Sequence, residues 1–299
     1  MLSSHLVVAL VALVVIGGAT RVMEAGLACP DWPLCYGVFL PGRQMNLQVF
    51  LEWFHRLDAF LVGVTLLVLL VASFWHRQQL PSWMPWTTLL AVALVAVQGA
   101  LGALTVTQLL ASSTVTAHLA TALLLVGVVS GIDQGLMQAS NAIHPPPTPP
   151  GLASARWPIL PVTATALVFA QCVLGGLMAS QWAVDHCFQS GNQCEWLMRH
   201  RQLAQPAALA VVVLALSTAL SPSSDSQSRT LSFGAAVLVG LQVLLGILTL
   251  RWQLGQPLLT IGHQLVAALL MACLGALCGR AFLASHPQSM SPSLEVTCG

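Results

Sequence analysis

The sequence predicts an all-α integral membrane protein in which eight transmembrane helices form two pseudo-symmetric four-helix bundles. Three observations carry this. Hydrophobic residues make up 57% of the 299 and charged residues only 6%, against about 25% charged in a typical soluble domain. Eight apolar stretches can each supply the roughly 20 helical residues that cross a hydrocarbon core; they lie near 4–22, 51–75, 84–106, 114–132, 157–180, 199–220, 231–250 and 258–283. The third is a repeat: His55 and His118 in the first half, and His200 and His263 in the second, are each 63 residues apart.

The first stretch sits where a secretory leader would, but seven spans follow Gly17-Gly18-Ala19-Thr20-Arg21, so it reads as a retained helix. Between spans four and five, Asp133 to Arg156 contains the run from His144 to Gly151 with five prolines. Proline removes the helical N–H donor, so this segment reads as a stiff extended linker. The expected organisation is an N-terminal half over 1–140, a linker over 141–156, a C-terminal half over 157–284 and a tail over 285–299.

The halves read as copies of each other. Helix 1 carries Ile16-Gly17-Gly18 and helix 5 carries Leu174-Gly175-Gly176, and a cysteine follows the first glycine of each by 12 residues, at Cys29 and Cys187. Gln98, Leu101, Gly102, Leu104 and Thr105 in helix 3 recur in helix 7 as Gln242, Leu245, Gly246, Leu248 and Thr249. His55-Arg56 and His200-Arg201 open helices 2 and 6, and His118 and His263 open helices 4 and 8. Each glycine alone signals only close helix packing in lipid; their common order makes the repeat.

Even-numbered helices all start on one membrane face, so the four paired histidines share a side. The loops Cys29-Pro-Asp-Trp-Pro-Leu-Cys35 and Cys187 to Cys194 follow odd-numbered helices and share it too. One disulfide in each loop, Cys29–Cys35 and Cys187–Cys194, implies an oxidising, extracytoplasmic compartment; redox-active dithiols and metal ligation stay open. Arginine counting opposes this orientation, with Arg77, Arg156, Arg229 and Arg280 inside against Arg21, Arg43, Arg56, Arg199, Arg201 and Arg251 outside. Several of the outer arginines flank histidines, where a guanidinium such as Arg56 or Arg201 suits a carboxylate ligand. The cysteines therefore decide the orientation. Cys172, Cys273 and Cys278 read as packing residues within helices.

Ionisable side chains inside a membrane are costly and usually partnered. Two imidazoles facing each other in a helix bundle suit the axial positions of a haem iron. A bare zinc or copper ion usually recruits a third or fourth ligand, and the second half has no acid near His200 or His263 to serve. The sharpest difference between the halves is Glu52, three residues before His55, where the second half has Leu197. That spacing puts the carboxylate on the ligand's helical face; the alternative is an interfacial ion pair with Arg56 or Arg21. Glu195 reads as loop. A net charge of +1 with no basic run gives no footprint for nucleic acid.

The eight helices, the Cys-Pro-Asp-Trp-Pro-Leu-Cys loop, the Glu-x-x-His-Arg start of helix 2 and the four histidines together resemble the haem A synthase family across nearly the whole chain. The resemblance implies that His55 and His118 flank the haem O being oxidised to haem A and that His200 and His263 hold a resident haem b. It also implies that Glu52 is the essential catalytic residue, that a ring methyl becomes a formyl group with oxygen from water, and that the chain serves terminal oxidase assembly in a bacterial cell membrane. The partners it implies are haem O, the lipid bilayer, a haem O synthase and an electron acceptor, with homo-oligomerisation left open. Two other functions compete: a membrane electron-transfer cytochrome, disfavoured because its haems should lie on opposite sides, and a haem-handling assembly factor without substrate chemistry. A transporter is a weaker third, given the parallel repeats and few midplane polar residues beyond Gln98, Gln171 and Gln242.

Overall fold

The computed structural model describes residues 2–141, 159–178, 195–222 and 224–285. Its helices are α1 (Leu2–Val22), α2 (Leu47–Trp75), α3 (Met84–Thr107), α4 (Ser112–Asn141), α5 (Ile159–Met178), α6 (Glu195–Leu220), α7 (Ser226–Arg251) and α8 (Pro257–Ser285). All eight are long and apolar enough to cross a membrane. In lipid, helices close their own backbone hydrogen bonds, which is why apolar runs of this length take that form. The second cysteine loop, most of the proline-rich linker and the tail, with Cys187, Cys194, Cys298, His144, His186 and His286, lie outside the described residues.

Several helices start earlier than hydropathy indicates, because polar caps begin them. The Asn46 side chain accepts the Val49 N–H at 2.9 Å and starts α2 at Leu47. Asp225 accepts the N–H groups of Gln227 and Ser228, each at 3.0 Å, and starts α7 at Ser226. Proline, whose missing N–H costs nothing in a first turn, begins α8 at Pro257. The paired histidines therefore do not open their helices. His55, His118, His200 and His263 lie eight, six, five and six residues past the first residue of α2, α4, α6 and α8, about 8–12 Å in at 1.5 Å per residue. Glu195 is likewise not loop: it begins α6 and pairs with Arg199 at 2.5 Å, with both side chains exposed.

The fourth helix runs further than hydropathy indicates, since α4 continues through Asp133 to Asn141. Ser3 and Ser4 of α1 donate to Asp133 Oδ1 at 2.7 and 2.8 Å, so the carboxylate is satisfied against a neighbouring helix and does not end its own.

Packing partners correspond helix for helix in the two halves. In the first, α1 and α3 each pack on α2 and α4; in the second, α5 and α7 each pack on α6 and α8. Between them, α8 lies against α4 and α1, and α5 against α4. The α4–α8 contact is the most intimate. A Cβ on Gly275 would collide with the Gly127 carbonyl, one on Gly279 with the Gly131 carbonyl, and one on Gly131 would sit 3.1 Å from the Gly275 oxygen. Glycines four apart on both helices thus let two backbones touch, the arrangement that replaces hydrophobic driving force inside lipid. Toward the far end, Arg280 of α8 donates to Asp225 at 2.7 Å, Ser228 at 3.0 Å and Gln134 of α4 at 3.3 Å.

The α3–α4 and α7–α8 turns match in detail. Leu109-Leu110 and Gln253-Leu254 adopt positive φ, at 50° and 61° and at 49° and 61°. Leu110 and Leu254 donate N–H to Thr105 and Thr249 at 2.8 and 2.9 Å. Left-handed backbone at non-glycine residues is strained, and both turns carry it at equivalent points just before a histidine-bearing helix.

Candidate functional site

The structure brings the histidines together in the pairs their spacing indicates. His55 of α2 and His118 of α4 face each other with ring centres 6.4 Å apart and planes at 80°, and His200 of α6 and His263 of α8 occupy the matching positions in the second half, near one another. Two imidazoles sharing one metal at about 2 Å per bond have ring centres about 6.3 Å apart, so the first pair is already at the spacing a shared iron requires. Nδ1 of all four rings is buried without a hydrogen-bond partner. Buried polar atoms are rarely left so, and a metal or ligand is one way to resolve them. Among the described residues no group of three or more His, Cys, Asp or Glu could hold a bare ion. A two-nitrogen set suits haem, whose macrocycle supplies the remaining iron ligands.

Each histidine lies against a glycine on the preceding odd-numbered helix. A Cβ would fall 2.9 Å from His55 Cε1 at Gly17, 3.4 Å from His118 Cε1 at Gly102, 3.0 Å from His200 Cε1 at Gly175 and 3.2 Å from His263 Cε1 at Gly246. The residue four positions before each glycine, Leu13, Gln98, Gln171 or Gln242, turns its main-chain carbonyl to the same imidazole. These glycines are cradles for the rings as well as packing residues. The signal was present in the sequence as Gln or Leu, three intervening residues and Gly, recurring in every odd helix; only the contact gives it meaning. The glutamines, too, are more than isolated polar residues at the midplane. Gln171 Nε2 lies 3.2 Å from His200 Nε2 and Gln242 Nε2 lies 3.1 Å from His263 Nε2.

Above the first pair, the loop after α1 is folded onto α2. Cys29 and Cys35 form a disulfide and are almost wholly buried. Glu52, only 4% exposed, accepts the Cys29 N–H through Oε2 at 2.7 Å and an Arg56 N–H through Oε1 at 2.5 Å. Arg56 also donates to the carbonyls of Asp31 and Leu34, each at 2.6 Å, and of Cys29 at 3.3 Å. Both its terminal nitrogens are engaged by the loop and by Glu52, whereas the Arg201 side chain is exposed. Asp31 closes the loop by accepting the N–H groups of Tyr36 and Gly37 at 2.6 and 2.7 Å. These bonds hold its carboxyl below the usual range, led by the Gly37 N–H, against a smaller opposing effect of desolvation. Trp53 Nε1 donates to the Phe39 carbonyl at 2.7 Å. Glu52 is thus hydrogen-bonded to the main chain of the disulfide itself, with its ion pair to Arg56 part of the same cluster. Asp58, three residues beyond His55 and half-buried, is a second acid on that helix, placed on the ligand's face by the same i to i+3 spacing as Glu52.

Known proteins resemble this chain along most of its length. A protein called Heme A synthase from Sphingopyxis alaskensis is 28% identical across 90% of this chain and 88% of its own. Another of that name from Erythrobacter litoralis is 25% identical across 87% and 90%, and one from Shewanella oneidensis is 34% identical over 36% of each. The model of the COX15-CtaA family, described as Cytochrome oxidase assembly protein, matches residues 2–275. With eight helices among the described residues long and apolar enough to span a membrane, and all four paired histidines inside that match, the chain belongs to the COX15-CtaA family of cytochrome oxidase assembly proteins.

Proposed function

We propose that this protein is a haem A synthase, which oxidises a ring methyl group of haem O to the formyl group of haem A in a bacterial cell membrane. The observation that carries the reading is the difference between two otherwise matching histidine pairs. His55 and His118 stand beneath a buried carboxylate fixed to a disulfide loop, while at His200 the position equivalent to Glu52 is Leu197. A site for chemistry and a site for a resident group would differ in this way. His55 and His118 would hold haem O, and His200 and His263 would hold haem b. Residues 1–140 and 157–284 would form the two pseudo-symmetric halves, a division supported by their corresponding packing partners.

Bound haem supplies an iron that passes electrons one at a time. The chain's own residues do the rest. Converting methyl and water to formyl releases four electrons and four protons, so the site needs a proton acceptor and a means of placing water. Glu52 is suited to both: Arg56 and the Cys29 N–H orient its two oxygens, and the remaining lone pairs can accept a proton or hold a water. Two histidines on each iron would leave no position for dioxygen, which suits water as the oxygen source. Gly17 and Gly102 let their helices approach the ligand rings. The exposed guanidinium of Arg201 is available to a haem propionate, while Arg56 would reach one only through its Nε or by releasing the loop. Placing the histidine pairs and the Cys29–Cys35 loop toward the extracytoplasmic side agrees with a disulfide there; electrons would leave to an acceptor outside the chain.

The test is haem extraction and mass analysis of purified protein, alone and after co-expression with a source of haem O. We expect haem A with the wild type. Glu52→Ala should keep both haems and yield no aldehyde, and Glu52→Asp should recover part of the rate. Unaltered haem O in the wild type would support a haem-handling factor instead; haem A from Glu52→Ala would return Glu52 to a structural ion pair.

A further inference from the structure

We propose that the residue four positions before each cradle glycine sets how long a haem stays: Gln171 and Gln242 retain the second-half haem, and Leu13 makes His55 the ligand through which the first-half haem enters and leaves. This rests on the haem assignment above and assigns a role to residues outside the ligand set.

The four positions are equivalent in backbone and differ in side chain. Each presents its carbonyl to an imidazole, so that contact cannot distinguish one site from another. The side chains can. Gln171 Nε2 meets His200 Nε2 at 3.2 Å and also donates to the His200 carbonyl at 2.9 Å, so it holds both the ring and the helix that carries it. Gln242 Nε2 meets His263 Nε2 at 3.1 Å. The Oε1 atoms of Gln98, Gln171 and Gln242 are all buried and unpartnered. A turn of the Gln242 amide about its last bond therefore offers its imidazole an acceptor in place of a donor, and the same turn at Gln171 exchanges the bond to the His200 carbonyl for one to the ring. In the first half neither side chain hydrogen-bonds its imidazole: the Gln98 amide oxygen is buried and unpartnered, and the Leu13 side chain behind His55 carries no polar atom.

A metal-bound histidine whose other ring nitrogen is hydrogen-bonded is fixed in orientation and is a more basic ligand; losing such a partner typically weakens metal binding about 10–100-fold. The second site has an amide against both ligand rings, whereas in the first the Gln98 amide makes no hydrogen bond to His118 and the side chain behind His55 is methyl-tipped. That ordering matches the two tasks. A resident haem has no reason to leave, whereas a substrate haem must be released as product each turnover. Cradle glycines serve all four rings alike, so exchange is governed by the side chain four residues earlier.

The experiment is capture of haem from the purified full-length protein by excess apomyoglobin in detergent, with haem b and the haem O plus haem A fraction quantified separately. In the wild type, haem O and haem A should transfer faster than haem b. Leu13→Gln should slow their transfer about 10–100-fold and let haem A co-purify, while Gln171→Leu and Gln242→Leu should speed haem b transfer by about the same factor. The glutamine variants keep the proposal testable if Leu13→Gln does not fold. Equal wild-type rates, or rates within twofold of wild type in the folded variants, would overturn it. His55→Ala and His200→Ala separate this failure from a deeper one. If they empty their sites while the Leu13 and glutamine variants change nothing, only the exchange proposal falls; if they leave haem content intact, the ligand assignment falls with it.

Discussion

Gly17→Ala adds one methyl group at the closest of the four glycine–histidine contacts. Its Cβ would lie 2.9 Å from His55 Cε1, 3.4 Å from Nε2 and 3.5 Å from Nδ1, where carbon–carbon contacts ordinarily settle at about 3.5–4.0 Å. The ring or α1 must therefore retreat by about 0.6–1 Å. His55 and His118 already stand at the separation a shared iron needs, so the displacement falls directly on the metal bond. Overpacking of this kind costs about 1–3 kcal/mol, which as a loss of first-site affinity is roughly 5- to 150-fold. The second haem should be untouched. Gly175→Ala, with its Cβ 3.0 Å from His200 Cε1, should do the reverse. Gly63→Ala on α2 is the control, because nothing lies within 4 Å of its Cβ, and it shares any gain in helix propensity. The assay is extracted haem per polypeptide with the absorption spectrum of each purified variant. Full occupancy and an unshifted spectrum in both Gly17→Ala and Gly175→Ala would refute the cradle argument.

Other perturbations test the frame around the site. Arg56→Gln removes the guanidinium held by three loop carbonyls and leaves Glu52 buried without its cation, a change that typically costs about 3–5 kcal/mol; Cys29 and Cys35 should become reducible and alkylated far faster than in the wild type, and unchanged protection would show that Arg56 does not clamp the loop. Gly275→Leu forces a side chain into the Gly127 backbone, so the α4–α8 contact should open and thermal stability in detergent should fall, whereas Gly234→Leu, with nothing within 4 Å, should be tolerated. Acid should loosen the far end of the bundle. Burial pushes the Asp225 carboxyl up, but the Ser228 hydroxyl and N–H, Arg280 and the Gln227 N–H together outweigh it and hold it below its ordinary value. A depressed carboxyl stabilises above the unfolded value of about 3.9 and loses that contribution as pH falls through its folded value. Melting temperatures of wild type and Asp225→Asn should therefore differ near neutrality and converge below about pH 4; a constant difference would remove Asp225 as the cause.

The class of protein, the number of spans and the histidine pairing were legible in the sequence, because each depends on a property that runs along the chain. Apolar length dictates a spanning helix where no water is present to satisfy the backbone, and the 63-residue interval is visible without knowing how any helix is rotated. Helix ends were less legible, since Asn46, Asp225 and Asp133 are polar residues that hydropathy assigns to loops and that hydrogen bonds place in or beside helices. What the tertiary structure alone decided are contacts across helices. Gly17 and His55 meet, although the sequence separates them by 38 residues. Glu52 meets the Cys29 main chain, Arg56 grips the disulfide loop, and the glycines of α4 and α8 touch backbone to backbone. Each depends on how helices are turned about their axes and how a loop folds back over them. In a membrane the outward face of a helix is as apolar as its inward face, so the periodicity that would reveal that rotation in a soluble protein is nearly absent.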